Sequence, residues 1–187
     1  MPNKNGLILL TPTSVDKTGT GSTATISTNG SVEFSACATL SLNGVFSADY
    51  DNYMVVMRQN GTGTNTWTIQ YRLRASGTDN STASSYVYQR LDADSTTISA
   101  SRTTSNIWYF SASTGSGYGG MVAQIYGPYL AQPTAFRSTN VDAYANAWLP
   151  DYAGTHNQST AYDGFTLSVF NNNLTLSGRI AVYGMRK

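Results

Sequence analysis

Charged side chains are scarce in this sequence of 187 residues. They make up 11% of the chain, whereas an ordinary soluble protein carries roughly a quarter. The formal net charge is only +1, so we expect no basic surface able to neutralise several phosphates and no nucleic-acid partner. A surface with so little charge repulsion also favours association with other protein subunits.

Cysteine, histidine and glutamate, three residue types that commonly bind metals, are also rare. The chain has one cysteine, Cys37, one histidine, His156, and one glutamate, Glu33. A lone cysteine excludes an intrachain disulfide, and its strand-like surroundings predict a small buried hydrophobic residue. No cysteine and histidine cluster exists in the sequence for zinc. We therefore expect neither a metal nor a cofactor.

A serine, histidine and aspartate triad would have to use His156, with Asp151 or Asp163 as the orienting acid. The Gly-x-Ser-x-Gly turn that presents a nucleophilic serine is absent from the sequence. His156 lies in the polar segment AGTHNQST, and this setting predicts a histidine in a surface loop. The sequence therefore provides little support for a triad.

Two pairs of aspartates offer the remaining acid chemistry. Asp49 and Asp51 are two residues apart, as are Asp92 and Asp94, so on a strand each pair could share a proton or bind a hard cation. Solvation and turn capping explain such pairs more simply. The glycine-rich runs lack the lysine of a phosphate-binding loop. We therefore predict that the protein is not an enzyme and has no catalytic residue.

Serine, threonine, asparagine, glycine and tyrosine take the place of charge, and this composition favours short strands joined by turns. Asn29-Gly30, Asn43-Gly44 and Asn60-Gly61 are turn dipeptides that tolerate positive φ. Their spacing predicts a β-sandwich or barrel. The predicted strands lie near residues 23–28, 31–36, 39–43, 53–59, 66–75, 86–92, 95–100, 106–111, 120–127, 134–142, 164–170 and 174–184.

The segment NTWTIQYRLRAS, residues 65–76, alternates apolar and polar side chains. Such alternation turns one set toward a core and the other outward. Arg72 and Arg74 belong to the outward set, where they either bind carboxylates of an adjacent subunit or form a solvated face. We favour the intersubunit contact. The inward set comprises Trp67, Ile69, Tyr71 and Leu73.

The C-terminal quarter contains a helix candidate and a pair of alternating segments. Residues 141–149, VDAYANAWL, are the best helix candidate, yet they end at Pro150 and could equally be extended. Alternation in residues 165–169 resumes after the three asparagines at 171–173. This pattern predicts a closing hairpin.

Residues 1–22 are rich in threonine and glycine and predict an extended N-terminal arm. A single β-sandwich domain then covers residues 23–187. The apolar patch Leu7, Ile8, Leu9 and Leu10 either adds an edge strand to its own domain or docks on a neighbouring subunit. Because this run has only four residues, and no stretch approaches the roughly 20 apolar residues of a membrane span, we expect no secretory signal and no membrane partner.

Aromatic residues are abundant, with 13 tyrosines and three tryptophans. Such rings can stack on sugars or supply contact area at an interface. Trp67 and Trp108 lie in alternating segments and are predicted core residues. Trp148 is the remaining candidate for stacking on a glycan.

Six segments that cover most of the chain, in order, carry a resemblance to a known family. They are LTPTSVDKTGTGSTATISTNGSVEF, SLNGVFSADYDNYMVVMR, SGTDNSTASSYVYQRLDADSTTISASRTTS, YGPYLAQPTAFRS, STAYDGFTL and GRIAVYGMRK. These segments resemble a family of small virion proteins of tailed bacteriophages. The resemblance implies a jelly-roll-like β-sandwich, frequently trimeric, that serves in head decoration or in a tail-associated appendage, and it implies no catalytic residue.

Together these observations predict an all-β protein, a jelly-roll-like antiparallel β-sandwich with an extended N-terminal arm. We expect a virion structural protein, made in the host cytoplasm, that decorates the head as a cement protein. Its partners would be its own copies in a homotrimer and the major capsid protein or other virion proteins. The alternative is a tail-fibre or receptor-binding module that recognises a host glycan.

Overall fold

The computed structural model describes residues 6–61, 67–113, 118–142, 148–170 and 174–186. These ranges form β-strands and contain no helix, and hence none long and apolar enough to cross a membrane. The strands are β1 (Leu7–Leu10), β2 (Ser14–Thr18), β3 (Thr23–Ile26), β4 (Val32–Cys37), β5 (Thr39–Asn43), β6 (Tyr50–Gly61), β7 (Trp67–Ala75), β8 (Thr78–Asp79), β9 (Tyr86–Asp94), β10 (Thr97–Ser105), β11 (Trp108–Ser113), β12 (Tyr118–Tyr126), β13 (Thr134–Asp142), β14 (Leu149–His156), β15 (Gly164–Phe170) and β16 (Leu176–Arg186).

The strands form two antiparallel sheets packed face to face. The large sheet has ten strands in the order β10-β9-β14-β13-β12-β6-β16-β4-β3, and β1 pairs with β16 beside β4. The small sheet has six strands in the order β11-β7-β15-β5-β2, and β8 pairs with β7. The predicted jelly-roll-like antiparallel β-sandwich is confirmed.

The core lies between the sheets and is rich in aromatic rings. Tyr71 is fully buried, and its ring centroid lies 4.6 Å from that of Phe110, 5.0 Å from that of Phe165 and 5.7 Å from that of Trp108. Such rings bury large apolar areas and prefer offset packing. Trp108 is a core residue as predicted, and Cys37 is buried as predicted. The side chain of Trp67 lies outside the described residues.

Every predicted strand is present, with ends displaced by a few residues. The alternation that predicts β7 is confirmed on its buried side, where Ile69, Tyr71 and Leu73 are inaccessible to solvent. β14 was missed because Pro150 and Gly154 interrupt its pattern. Of the helix candidate at 141–149, residues 141–142 lie in β13 and residue 149 begins β14. Residues 143–147 lie outside the described part.

The N-terminal segment is part of the sandwich where the sequence predicted an extended arm. Leu7–Leu10 pairs with residues 182–185 of β16, and Ser14–Thr18 pairs with β5. The apolar patch therefore adds a strand to its own domain, the first of the two outcomes left open. The physical reason is that β4 covers only residues 176–180 of β16, so the rest of that edge needs another partner for its backbone groups.

The predicted closing hairpin is wrong. β15 pairs with β5 and β7 in the small sheet, whereas β16 pairs with β4, β6 and β1 in the large sheet. Both strands alternate, but alternation indicates only which face is buried and not which strand lies alongside. The Asn29-Gly30 turn does close a hairpin, between β3 and β4, with φ of 94° at Gly30.

Gly178 provides a test of the close packing within the large sheet. It lies beside an irregularity in β16 with φ of 156°, and an added Cβ would collide with the backbone carbonyl oxygen of Arg58. We therefore expect Gly178→Ala to lower the free energy of unfolding by about 1–3 kcal/mol. Urea denaturation followed by circular dichroism measures this loss.

The matched control is Gly120→Ala on β12, which is separated from β16 by β6 in the same sheet. A Cβ at Gly120 would meet only the Cγ1 of Val141, at 3.8 Å, which is an ordinary contact. Its denaturation midpoint should stay near that of the wild type. Equal midpoints for the two variants would contradict the packing described for β16.

Candidate functional site

The outward face of the large sheet arranges its side chains in rows, because directly opposed residues of paired strands share a face. One row runs from Glu33 through Arg179 and Arg58 to Gly120 across β4, β16, β6 and β12. The next row contains Ser177, Asn60 and Tyr118. The strand register therefore brings together residues from four distant parts of the chain.

These two rows border a depression of about 740 Å³, here called the Tyr118 depression. Its lining consists mainly of hydroxyl, amide and charged side chains, which can donate or accept hydrogen bonds. The lining residues are Thr23, Thr25, Glu33, Phe34, Ser35, Arg58, Gln59, Asn60, Tyr118, Ser177, Gly178 and Arg179.

Tyr118 contributes an exposed aromatic ring to the depression. Its side chain is 53% exposed, although it lies within a regular sheet. The guanidinium carbon of Arg58 lies 4.8 Å from the ring centroid, in the position of a cation–π contact. This contact holds the tyrosine ring against the sheet while a large part of it stays accessible.

Arg58 and Arg179 bring two positive charges close together. They are direct cross-strand partners, and Arg179 Nε donates a hydrogen bond of 3.0 Å to Ser31 Oγ. Within the described residues, the ion pairs formed by arginines are those of Arg74 and Arg90. The positive charges of Arg58 and Arg179 are therefore not neutralised by an ion pair among these residues.

The floor of the depression is tied to the opposite sheet. Gln59 follows Arg58 in β6 but points inward, and its Nε2 donates a hydrogen bond of 2.6 Å to Ser111 Oγ in β11. Both side chains are buried. This bond and the surrounding core hold the backbone of the strand that carries Arg58 in place.

An apolar strip occupies another part of the same face. Val56 lies directly opposite Val122, and a shallow depression of about 410 Å³ lies over them, beside Gly120 and Val141. Leu91, Leu149 and Ile98 extend the exposed aliphatic surface toward the sheet edge formed by β10. The apolar strip comprises Val56, Leu91, Ile98, Val122, Val141 and Leu149.

The two arginines singled out in the sequence lie on the outward face of the small sheet. Arg74 Nη1 donates hydrogen bonds of 2.9 Å to Ser41 Oγ, Asp79 Oδ1 and Thr166 Oγ1. Its charge is therefore neutralised within its own chain. Arg72 Nε donates to the carbonyl of Asn106 at 3.2 Å. An intersubunit role for these arginines, and for Leu7, Ile8, Leu9 and Leu10, stays a prediction.

Trp148, the candidate for glycan stacking, immediately precedes β14 and is only 8% exposed. The guanidinium carbon of Arg90 lies 5.2 Å from its ring centroid, and Arg90 also forms an ion pair with Asp92. The more accessible ring is that of Tyr118, which the sequence reasoning did not single out. The glycines on both sides of Tyr118 are the sequence signal that could have drawn attention to it.

His156 is buried, so its interpretation as a surface-loop residue was wrong. It is the last residue of β14, and the alternation of that strand turns it inward. Its ring stacks on Tyr86 with centroids 4.1 Å apart, and its Nε2 lies 2.6 Å from the hydroxyl of Tyr162. That hydroxyl also accepts a hydrogen bond of 2.9 Å from Asn80.

Four of the aspartates considered above, as partners of His156 or as members of an acid pair, bind groups other than His156. Asp151 Oδ1 accepts a hydrogen bond from the amide of Asn140, and the carboxylate of Asp163 accepts one from the amide of Ser76. Asp92 binds Arg90, and Asp49 accepts a hydrogen bond from the Ser47 hydroxyl. Among the described residues, histidine, cysteine and acidic side chains form no group of three that could hold a metal.

No protein-family model matches this chain, and no curated protein matches its sequence. Among solved structures it is similar to the CBM2 module of the evolved Dit of Lactobacillus casei BL23 phage J-1, with 9% identity over 99% of this chain and 92% of that one and a TM-score of 0.31. It is also similar to the CBM22-1–GH10 modules of Clostridium thermocellum xylanase 10B complexed with xylohexaose, with 13% identity over 97% and 29% and a TM-score of 0.32. Domain 4 of the arabinanase AbnA from Geobacillus stearothermophilus, complexed with arabinotriose, shows 8% identity over 92% and 82% and a TM-score of 0.33.

The buried histidine generates a pH-dependence of stability. Burial lowers the pKa of His156 to about 4 from 6.5, although the backbone of Ser85 raises it in part. Between pH 6.5 and 4, His156 is therefore protonated in the unfolded chain but mostly neutral in the folded chain. We expect the free energy of unfolding to hold its full value above about pH 6.5 and to fall between pH 6.5 and 4, by about 3 kcal/mol at most.

Urea denaturation at half-unit pH steps measures this loss, with His156→Gln as the comparison. The variant has no group that titrates at this position, so its stability should change much less between pH 6.5 and 4. Parallel pH profiles for the wild type and the variant would show that His156 is accessible to protons in the folded state.

Proposed function

We propose that this protein is a non-catalytic component of a bacteriophage particle that binds a glycan in the Tyr118 depression. The observation that carries the proposal is a half-exposed tyrosine ring beside a depression lined by hydrogen-bonding side chains. A sugar presents apolar C–H groups on the faces of its ring and hydroxyls around its rim. An aromatic plane with polar groups around it is complementary to both.

The polar side chains around the ring suit the hydroxyls of a sugar. Asn60 provides an amide, and Ser177 and Thr23 provide hydroxyls. All three lie on paired strands, so their backbones need no ordering when a ligand binds. Preorganisation of this kind lowers the entropic cost of binding.

Location on a virion is supported by the resemblance of the sequence to small phage structural proteins. Presentation on a particle also suits the site, because a shallow depression on a sheet makes few contacts with each sugar. Many copies on one particle would bind a cell surface together, and their individually weak contacts would add through multivalency. Such a role requires no catalytic residue.

Replacement of Tyr118 tests the proposed site. We expect Tyr118→Ala to weaken binding of the purified protein to host-surface polysaccharide about ten-fold, because the stacking surface is lost. Binding isotherms on immobilised polysaccharide measure the change. A wild-type protein that binds no polysaccharide, or a variant with unchanged affinity, would contradict the proposal.

Tyr126→Ala is the matched control for that experiment. Tyr126 lies at the other end of the same strand, faces outward and is 39% exposed, with its hydroxyl bonded to Gln124. The same atoms are removed, but from outside the Tyr118 depression. Its affinity for polysaccharide should match that of the wild type.

A head-decoration role is the second candidate, and the apolar strip is the observation that favours it. Exposed aliphatic side chains on neighbouring strands are typical of surfaces that contact other proteins. In this role the strip would lie against the major capsid protein, with the protein acting as a trimeric cement. The strip and the Tyr118 depression involve different side chains, so variants separate the two functions.

Val122→Asp tests the decoration role, since Val122 is 42% exposed and lies directly opposite Val56. A carboxylate at this position would have to be desolvated in the interface, so we expect fewer copies on each purified particle. Quantitative gel analysis of particles measures the copy number, with Tyr118→Ala as the control that should keep full occupancy. Unchanged occupancy of the Val122 variant would contradict a contact through the strip.

A further inference from the structure

The positive charges in the Tyr118 depression indicate what kind of glycan it takes. Arg58 and Arg179 are opposed across β6 and β16, and side chains in such positions start only about 5 Å apart. Like charges at this spacing repel each other and destabilise the pair. A binding site for a negatively charged group makes use of such a pair.

The surrounding residues leave this charge only partly balanced. Glu33 lies opposite Arg179 on β4, but within the described residues it forms no ion pair at or below 4 Å. The other side chains of the lining are uncharged. Two arginines against one glutamate give the depression a net positive charge of one, in a chain with few charges.

Within the described residues, both arginines also have hydrogen-bond donors that are not used. A guanidinium has five N–H donors in a planar fork. Arg179 uses its Nε on Ser31, while the guanidinium carbon of Arg58 lies over the ring of Tyr118. The edges of both groups can therefore bind the oxygens of a carboxylate or a phosphate in a bidentate manner.

We propose that the glycan bound in the Tyr118 depression is anionic, with a carboxylate or phosphate held between Arg58 and Arg179 while a sugar ring packs on Tyr118. This inference rests on the proposed function, because it names the chemical class of ligand for the same site. A uronic acid and a sugar phosphate share the oxyanion that the arginines recognise.

Three probes of known chemistry test the inference by isothermal titration calorimetry. They are oligogalacturonate, which carries carboxylates, a phosphorylated galacto-oligosaccharide, which carries phosphate groups on its sugar rings, and neutral galacto-oligosaccharide. We expect at least one anionic probe to bind about ten-fold more tightly than the neutral one, with an affinity that falls as salt is added. The probe that binds distinguishes the carboxylate from the phosphate.

Charge variants assign the effect to this site. Arg58→Gln and Arg179→Gln should each weaken binding of the anionic probe about ten-fold. Arg137→Gln is the control, because Arg137 is exposed on the same face in another row, opposite Gln124 and Ala153. Glu33→Gln should strengthen binding, since it removes the one negative charge of the lining. Unchanged thermal melting shows that each variant is folded.

The outcomes separate failure of this inference from failure of the proposed function. If neutral and anionic probes bind equally and the arginine variants match Arg137→Gln, the glycan is not selected by charge and the inference is overturned, while glycan binding stands. If the wild type binds neither the three probes nor host polysaccharide, the proposed function fails and the inference fails with it.

Discussion

The register in which β16 pairs with its neighbours is the constraint on which the rest of the account depends. β16 lies between β6 on one side and β4 and β1 on the other. A shift of one residue would turn every side chain of the strand to the opposite face. The observed register buries Ile180 and Val182 and turns Arg179 outward beside Arg58. Core packing therefore also decides which polar groups meet on the surface.

The arginines on the two outer faces of the sandwich differ in how far their charges are neutralised. On the small sheet, Arg74 is surrounded by hydroxyls and the carboxylate of Asp79, and its side chain is 12% exposed. The hydrogen bonds and the charge of this side chain are used within its own sheet and are not available to a ligand. On the large sheet, Arg58 packs on an exposed ring and Arg179 contacts one hydroxyl. This contrast is the reason that we propose the large sheet as the recognition face.

Much of the fold could be predicted from the sequence, because strands alternate and turns use asparagine and glycine. The site could not, since it depends on which strands are neighbours. Arg58, Tyr118 and Arg179 are far apart in the chain, and only strand pairing places them together. His156 was misjudged for a related reason, because the polar segment around it resembles a loop, whereas Tyr86 and Tyr162 bury its ring. The composition of a segment does not show which strands and side chains pack against it, and these decide whether its residues are buried.

Mapping of backbone amide shifts tests the central claim most directly. The ¹⁵N-labelled protein would be titrated with acidic oligosaccharides from the surface of a host cell, and the perturbed amides located on the structure. The account predicts that the largest changes cluster at Arg58, Tyr118, Ser177 and Arg179. Changes concentrated around Arg74 on the small sheet, or around Trp148, would contradict it.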